Sequence, residues 1–141
     1  MNPQRPELTD EQLIAQFESA PIPPDAFHHA DHVRLAFAYL RQYTVLEALE
    51  KFPAALRRFA ESHGKPNLYH QAITWAYLFL IHERLARAGK PQTWEDFAQA
   101  NPDLLIWKNG ILEKYYAEET LQSALARRVF IFPDKLTTPA L

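Results

Sequence analysis

Cysteine is absent from the 141 residues, so the chain can form neither a disulfide nor a thiolate metal site, and a reducing compartment fits. Only three glycines are present. Phosphate-cradling loops need glycine where backbone N–H groups close on the anion, and no P-loop, dinucleotide fingerprint or nucleophile elbow is found. An excess of one charge is missing too: 15 Lys and Arg stand against 17 Asp and Glu, a formal net charge of −2. Arg57-Arg58 and Arg127-Arg128 are isolated pairs that read as solvated helix faces, so no nucleic-acid partner is expected. Long apolar runs are also lacking. The longest, Ala72 to Ile81, is interrupted by Thr74 and falls far short of the roughly 20 residues that span a bilayer. It predicts a buried helix and no membrane partner. Met1 to Asp10 is polar and proline-bearing, without an apolar stretch behind a basic one, and a cytoplasmic location is the expectation.

What is present is ordinary globular material: 48% hydrophobic and 23% charged residues, in a length that buries a core without staples. No repeat or long linker interrupts it, so 1–141 is expected to be a single helical domain, with 1–8 flexible and 133–141 a tail. Three threonines carry the same signature. Thr9 precedes Gln12, Thr44 precedes Glu47, and Thr93 precedes Asp96. A hydroxyl cap takes up a backbone N–H that the first turn leaves orphaned, and the polar residue three positions on reaches back. Helices are therefore predicted from about 10, 45 and 94, the third with the weaker, shorter Asp.

The first helix should stop near Ala20, before Pro21-Ile22-Pro23-Pro24. A second should start after a cap at Asp25 and reach Tyr43. The third should end at His63, with Gly64 as its left-handed stop and Pro66 at the start of the next helix. That fourth helix, about 67–88, is apolar nearly all round in its middle and is predicted to be the central one, burying Ala72, Ile73, Ala76, Tyr77, Leu80 and Ile81. A short helix over 94–100, a proline-started turn over 102–107, a break at Asn109-Gly110 and helical pieces over 111–116 and 118–128 complete it. Val129 to Phe132 reads as an extended tail laid on the bundle. The fold class is all-α, a helical bundle with short C-terminal helices.

The chemistry concentrates in histidines. Phe27-His28-His29-Ala30-Asp31-His32 holds three of them, and on a helix His29 and His32 share the apolar face of Val33, Ala36 and Leu40. His28 and Asp31 fall on a more polar side, where Asp31 could pair with Arg34. His70 is placed in the first turn of the fourth helix, on one stripe with Thr74 and Tyr77. If the two helices pack together, His29, His32 and His70 converge, and three imidazoles with open positions can hold a divalent ion such as zinc, iron or nickel. Thr74 and Tyr77 would then contact a small-molecule substrate. Core histidines hydrogen-bonded to carbonyls or hydroxyls are the simpler alternative. His63 reads as a helix-end residue, and His82-Glu83 as surface, with Glu83 set to pair Arg87. Trp75, Trp94 and Trp107 read as packing residues.

The stretches Phe27-x-His29-x-Asp31-His32-Val33-Arg34-Leu35-Ala36, Tyr69-His70-x-x-x-Thr74 and Asn101-Pro102-Asp103-Leu104-Leu105, with Tyr115-Tyr116 and Ala126-Arg127-Arg128 behind them, resemble a small family of uncharacterised bacterial all-helical proteins, over about 25–134. The resemblance implies weight on these positions and no particular reaction. Its second motif often reads Tyr-His-Glu, where this chain has Gln71, so a carboxylate ligand or base is not available there. The expectation is thus a metal-binding helical protein, with metal-dependent chemistry on a small molecule in a pocket within the bundle. A metal-free ligand-binding protein and a protein-interaction module with structural histidines stand as alternatives.

Overall fold

Threonine caps open three of the helices. A computed structural model describes residues 8–19 and 23–135, and its first helix, α1 (Asp10–Ser19), starts on a reciprocal pair. Thr9 Oγ1 accepts the Gln12 N–H at 3.1 Å and Gln12 Oε1 accepts the Thr9 N–H at 3.0 Å. Helix α3 (Val45–Ser62) repeats the pattern at Thr44 and Glu47, at 3.2 and 3.0 Å. Helix α5 (Trp94–Ala100) has one half of it, the Asp96 N–H donating to Thr93 Oγ1 at 3.1 Å. Residues 1–7, 20–22 and 136–141 lie outside the described residues, and with them most of the start expected to be flexible (1–8), part of the proline stretch and most of the tail expected over 133–141.

Two boundaries differ from expectation, and both bear on the histidines. Helix α2 spans His29–Gln42, because Pro24–Ala26 forms a separate 3-10 turn and His28, not Asp25, is the cap. The Asp31 carboxylate accepts the His28 N–H at 2.9 Å. Arg34 consequently pairs not with Asp31 but with Asp10 of α1, at 2.8 Å. The fourth helix also begins later. Pro66–Leu68 is a 3-10 turn, the chain is extended at Tyr69 and His70, and α4 runs Gln71–Ala88. His70 therefore precedes the helix as its cap. Glycine ends two of these helices where a side chain would be strained: Gly64 and Gly89 have φ of 68° and 70°.

Toward the C-terminus the expected 118–128 piece divides into α6 (Glu118–Leu121) and α7 (Ala124–Arg128). Ser123 Oγ accepts the Ala126 N–H at 3.1 Å and so starts a new helix inside the predicted one. Ile111–Lys114 is a 3-10 turn. Val129–Phe132 lies extended on the bundle, with Phe130 stacked on Trp75 at 5.9 Å and the Tyr116 hydroxyl donating to the Ile131 carbonyl at 2.6 Å. Among the described residues there is no strand, and the fold is all-α.

One hydrophobic core runs through the helices. Helix α4 packs against α2, α3 and α7, and α2 shares the centre with it. Val33, Leu35, Phe37 and Tyr39 of α2 are buried, as are Ala72, Leu78 and Ile81 of α4. Ile73 and Leu80 are only partly buried, because Leu78 takes the deepest register. No helix among the described residues is long and apolar enough to cross a membrane.

Candidate functional site

Helices α2, α3 and α4 leave between them a cleft of about 460 Å³. Val33 and Ala36 of α2 and Phe52 and Leu56 of α3 are buried in its wall. Trp107, just beyond the 3-10 turn Pro102–Leu105, is more than half exposed and lines it from outside. His29, His32 and His70 all line this one cleft, with Thr74 and Tyr77. They share this space, and the three imidazoles are engaged in different ways.

His70 has both ring nitrogens engaged. Nδ1 accepts the Ile73 N–H at 3.1 Å, which caps α4. Nε2 donates to the Leu121 carbonyl at 2.6 Å, because a carbonyl can only accept. The ring ties α4 to α6, and no lone pair is left for a ligand. Burial holds its pKa below the ordinary value, against the pull of that carbonyl.

His29 is half engaged. Its Nε2 donates to the Leu104 carbonyl at 2.9 Å, which fixes the lone pair of the neutral ring on Nδ1. Tyr77 lies edge-on at 4.9 Å between ring centres and Trp107 lies across it at 5.1 Å. Burial lowers this pKa as well, partly offset by the Leu104 bond.

His32 has no hydrogen bond to any described residue. It packs on the Phe27 ring at 4.2 Å. Burial, with His29 beside it, pushes its pKa down to about 4, so the ring is neutral at pH 7. Among the described residues the buried side-chain nitrogens and oxygens without a partner are His63 Nε2 and Trp75 Nε1. The unbonded nitrogens of His29 and His32 are therefore reached by water. An imidazole so nearly enclosed, neutral and unpaired is a site for a hydrogen bond yet to be made.

This arrangement bears on the three-imidazole metal centre that the spacing predicts. Among the described residues no group of three or more His, Asp or Glu side chains is placed to hold an ion. The physical reason lies at His70: ligation there would break the cap of α4 or the link to Leu121. Of the other expected contacts, Thr74 Oγ1 donates to the His70 carbonyl at 2.7 Å, which leaves only its lone pairs. The Tyr77 hydroxyl has no partner among the described residues, and burial with Asp103 nearby pushes its pKa up to about 12. It stays protonated and can donate.

Local spacing gives no role to several residues at or behind the cleft. Leu104 and Trp107 reach His29 across some 75 residues of chain, which no local pattern announces. Tyr69 lines the cleft with its hydroxyl turned to Gln71, and Gln71 Oε1 also accepts from Arg57 at 3.1 Å. Gln71 thus braces Tyr69 and does not itself line the cleft. Arg127, which reads as a solvated face, lies at the cleft edge and donates to the Asn67 carbonyl. No protein-family model, curated protein or solved structure matches the chain.

The chemistry open to His32 is set by its basicity. Taking a proton from a hydroxyl of pKa near 10 onto a ring of pKa about 4 is uphill by roughly six units, or about 8 kcal/mol. A general base works best with a pKa near the working pH. His32 is better suited to accepting a hydrogen bond than to removing a proton.

Proposed function

We propose that this chain binds a small molecule in the cleft between α2, α3 and α4 without a metal, with His32 and the Nδ1 of His29 as hydrogen-bond acceptors and the Tyr77 hydroxyl as a donor. The observation that carries this reading is His32, a neutral, nearly enclosed imidazole facing about 460 Å³ of mostly apolar cleft with no partner of its own. Clefts of this size, with an apolar wall and a few convergent polar groups, are the usual form of a small-molecule site. The bacterial family resembled by the FxHxDH and YHxxxT stretches would share this cleft, since its shared positions include His29, His32, His70 and Thr74.

A divalent ion is the second reading, on the ground that all three histidines line one space. It requires His70 to exchange its cap for a ligand bond. The two readings separate in one experiment, in which the histidine ring resonances of the full chain are followed by NMR. Aromatic fragments added in the presence of a chelator should move the His32 and His29 signals saturably. Stoichiometric zinc uptake that moves all three rings, and is lost in His70→Ala, would sink the metal-free reading.

A further inference from the structure

The charge and ring content of the cleft narrow what it takes. Six aromatic rings line it: Phe27, Phe52, Phe59, Tyr69, Tyr77 and Trp107. Among the described residues no Asp or Glu does, and with the histidines held toward neutrality by burial, the one formal charge in the described lining is Arg127. That guanidinium donates to the Asn67 carbonyl and makes no ion pair within the described residues. Its remaining N–H groups have no hydrogen-bond partner among the described residues. A neutral imidazole, a cation at an exposed position and aromatic rings that line one cleft fit three parts of one molecule.

We infer, resting on the binding reading above, that the ligand is a hydroxylated aromatic carboxylate, its hydroxyl donating to His32, its ring among the aromatic walls and its carboxylate on Arg127. Each part answers a separate feature. Aromatic faces favour a planar body through offset and edge-on contacts. The neutral His32 ring offers one acceptor nitrogen and one N–H, both unbonded among the described residues, and a hydroxyl can donate to the acceptor in either tautomer, whereas a ligand without a polar group there would leave the ring buried and unpaired. A guanidinium with such N–H groups favours a carboxylate, which it can engage through two parallel bonds. A cationic ligand would find aromatic faces but no carboxylate among the described lining residues, and the Arg127 charge would oppose it.

Three naphthalene probes separate these terms: 6-hydroxy-2-naphthoate, 2-naphthoate without the hydroxyl, and 2-naphthol without the carboxylate. Affinities come from titration calorimetry on the full chain, with His29 and His32 ring signals followed by NMR. The hydroxynaphthoate should bind roughly tenfold tighter than either analogue, the scale of one well-made hydrogen bond. His32→Phe should erase the advantage of the hydroxyl and keep that of the carboxylate. Arg127→Gln, a change at an exposed position, should do the reverse, with the unshifted ring signals of the unliganded variant checking its fold. Equal binding of all three probes in the cleft, or a hydroxyl preference that survives His32→Phe, overturns this ligand class and leaves the binding reading standing. If no probe binds and neither ring signal moves, both fall together.

Discussion

Replacing His70 and replacing His32 should have unequal consequences for stability at pH 7, although both residues line one cleft. His70 caps α4 and bonds the Leu121 carbonyl, so His70→Ala removes a cap and strands an acceptor. A loss of about 1–3 kcal/mol is expected, read by urea denaturation at pH 7. His32 makes no bond to lose, and His32→Phe should change stability at pH 7 by less than about 1 kcal/mol. Its effect should appear on acidification. The His32 pKa is about 4 in the folded chain and near 6.5 when exposed, so between those values the unfolded chain binds the extra proton. The stability that this difference represents, about 3 kcal/mol, is fully present above pH 6.5 and lost as the pH falls to 4. His29 and His70 are lowered too and act in the same direction. His32→Phe should therefore flatten the fall in stability between pH 7 and pH 4. Parallel curves for the variant and the parent protein would show that His32 is not held neutral by the fold.

Helices here begin where local chemistry starts them, which is why their positions are legible in the sequence and the site is not. Thr44 with Glu47 and Thr93 with Asp96 lie three residues apart, so their hydrogen bonds need no knowledge of the fold. Thr44→Ala should cost about 1 kcal/mol or a little more, and Thr93→Ala somewhat less, since only one of its two bonds is made. Thermal melts of the two variants check the order. Cap signals mislead where two compete. Asp25 has the residue type of a cap, but His28 with Asp31 holds the stronger position, and α2 starts at His29. At His70 an apolar periodicity hides an imidazole able to cap, so a residue expected inside a helix stands before it. Gly110 is a further case of backbone geometry acting on the site. A Cβ there would lie 2.5 Å from the Ile106 carbonyl oxygen and 2.9 Å from that of Trp107, and backbone atoms have little room to yield. Gly110→Ala should open the turn that holds Trp107 against His29, at a cost of about 1–3 kcal/mol, and shift the Trp107 fluorescence.

Across the whole molecule, the cleft depends on a segment distant in sequence from all three helices that form it. Residues 101–107 supply the Leu104 carbonyl that orients His29 and the Trp107 ring beside it, and Leu104 itself is fully buried. Arg84 of α4 anchors this segment from outside. Its Nη1 donates to Asn101 Oδ1 at 2.7 Å, and its two terminal nitrogens hold both Asp103 carboxylate oxygens at 3.1 and 2.9 Å. That guanidinium keeps the Asp103 carboxyl below its usual pKa. Arg84 does not line the cleft, so nothing in the site's own chemistry points to it. The ion pair is half open to water, and a stability effect of no more than about 1 kcal/mol is expected from its loss. Its effect on the cleft should be larger, because a loosened 101–107 segment releases both the bond that fixes the His29 tautomer and the aromatic wall. Arg84→Ala should raise amide exchange selectively over 101–107 and weaken binding of an aromatic probe severalfold, while the melting temperature moves by only a few degrees. Arg84→Lys should recover only part of this, since an ammonium cannot hold two carboxylate oxygens and an amide oxygen in one plane. Unchanged exchange over 101–107 in Arg84→Ala would mean that Leu104 burial alone positions the segment, and His29 would then owe its orientation to the core.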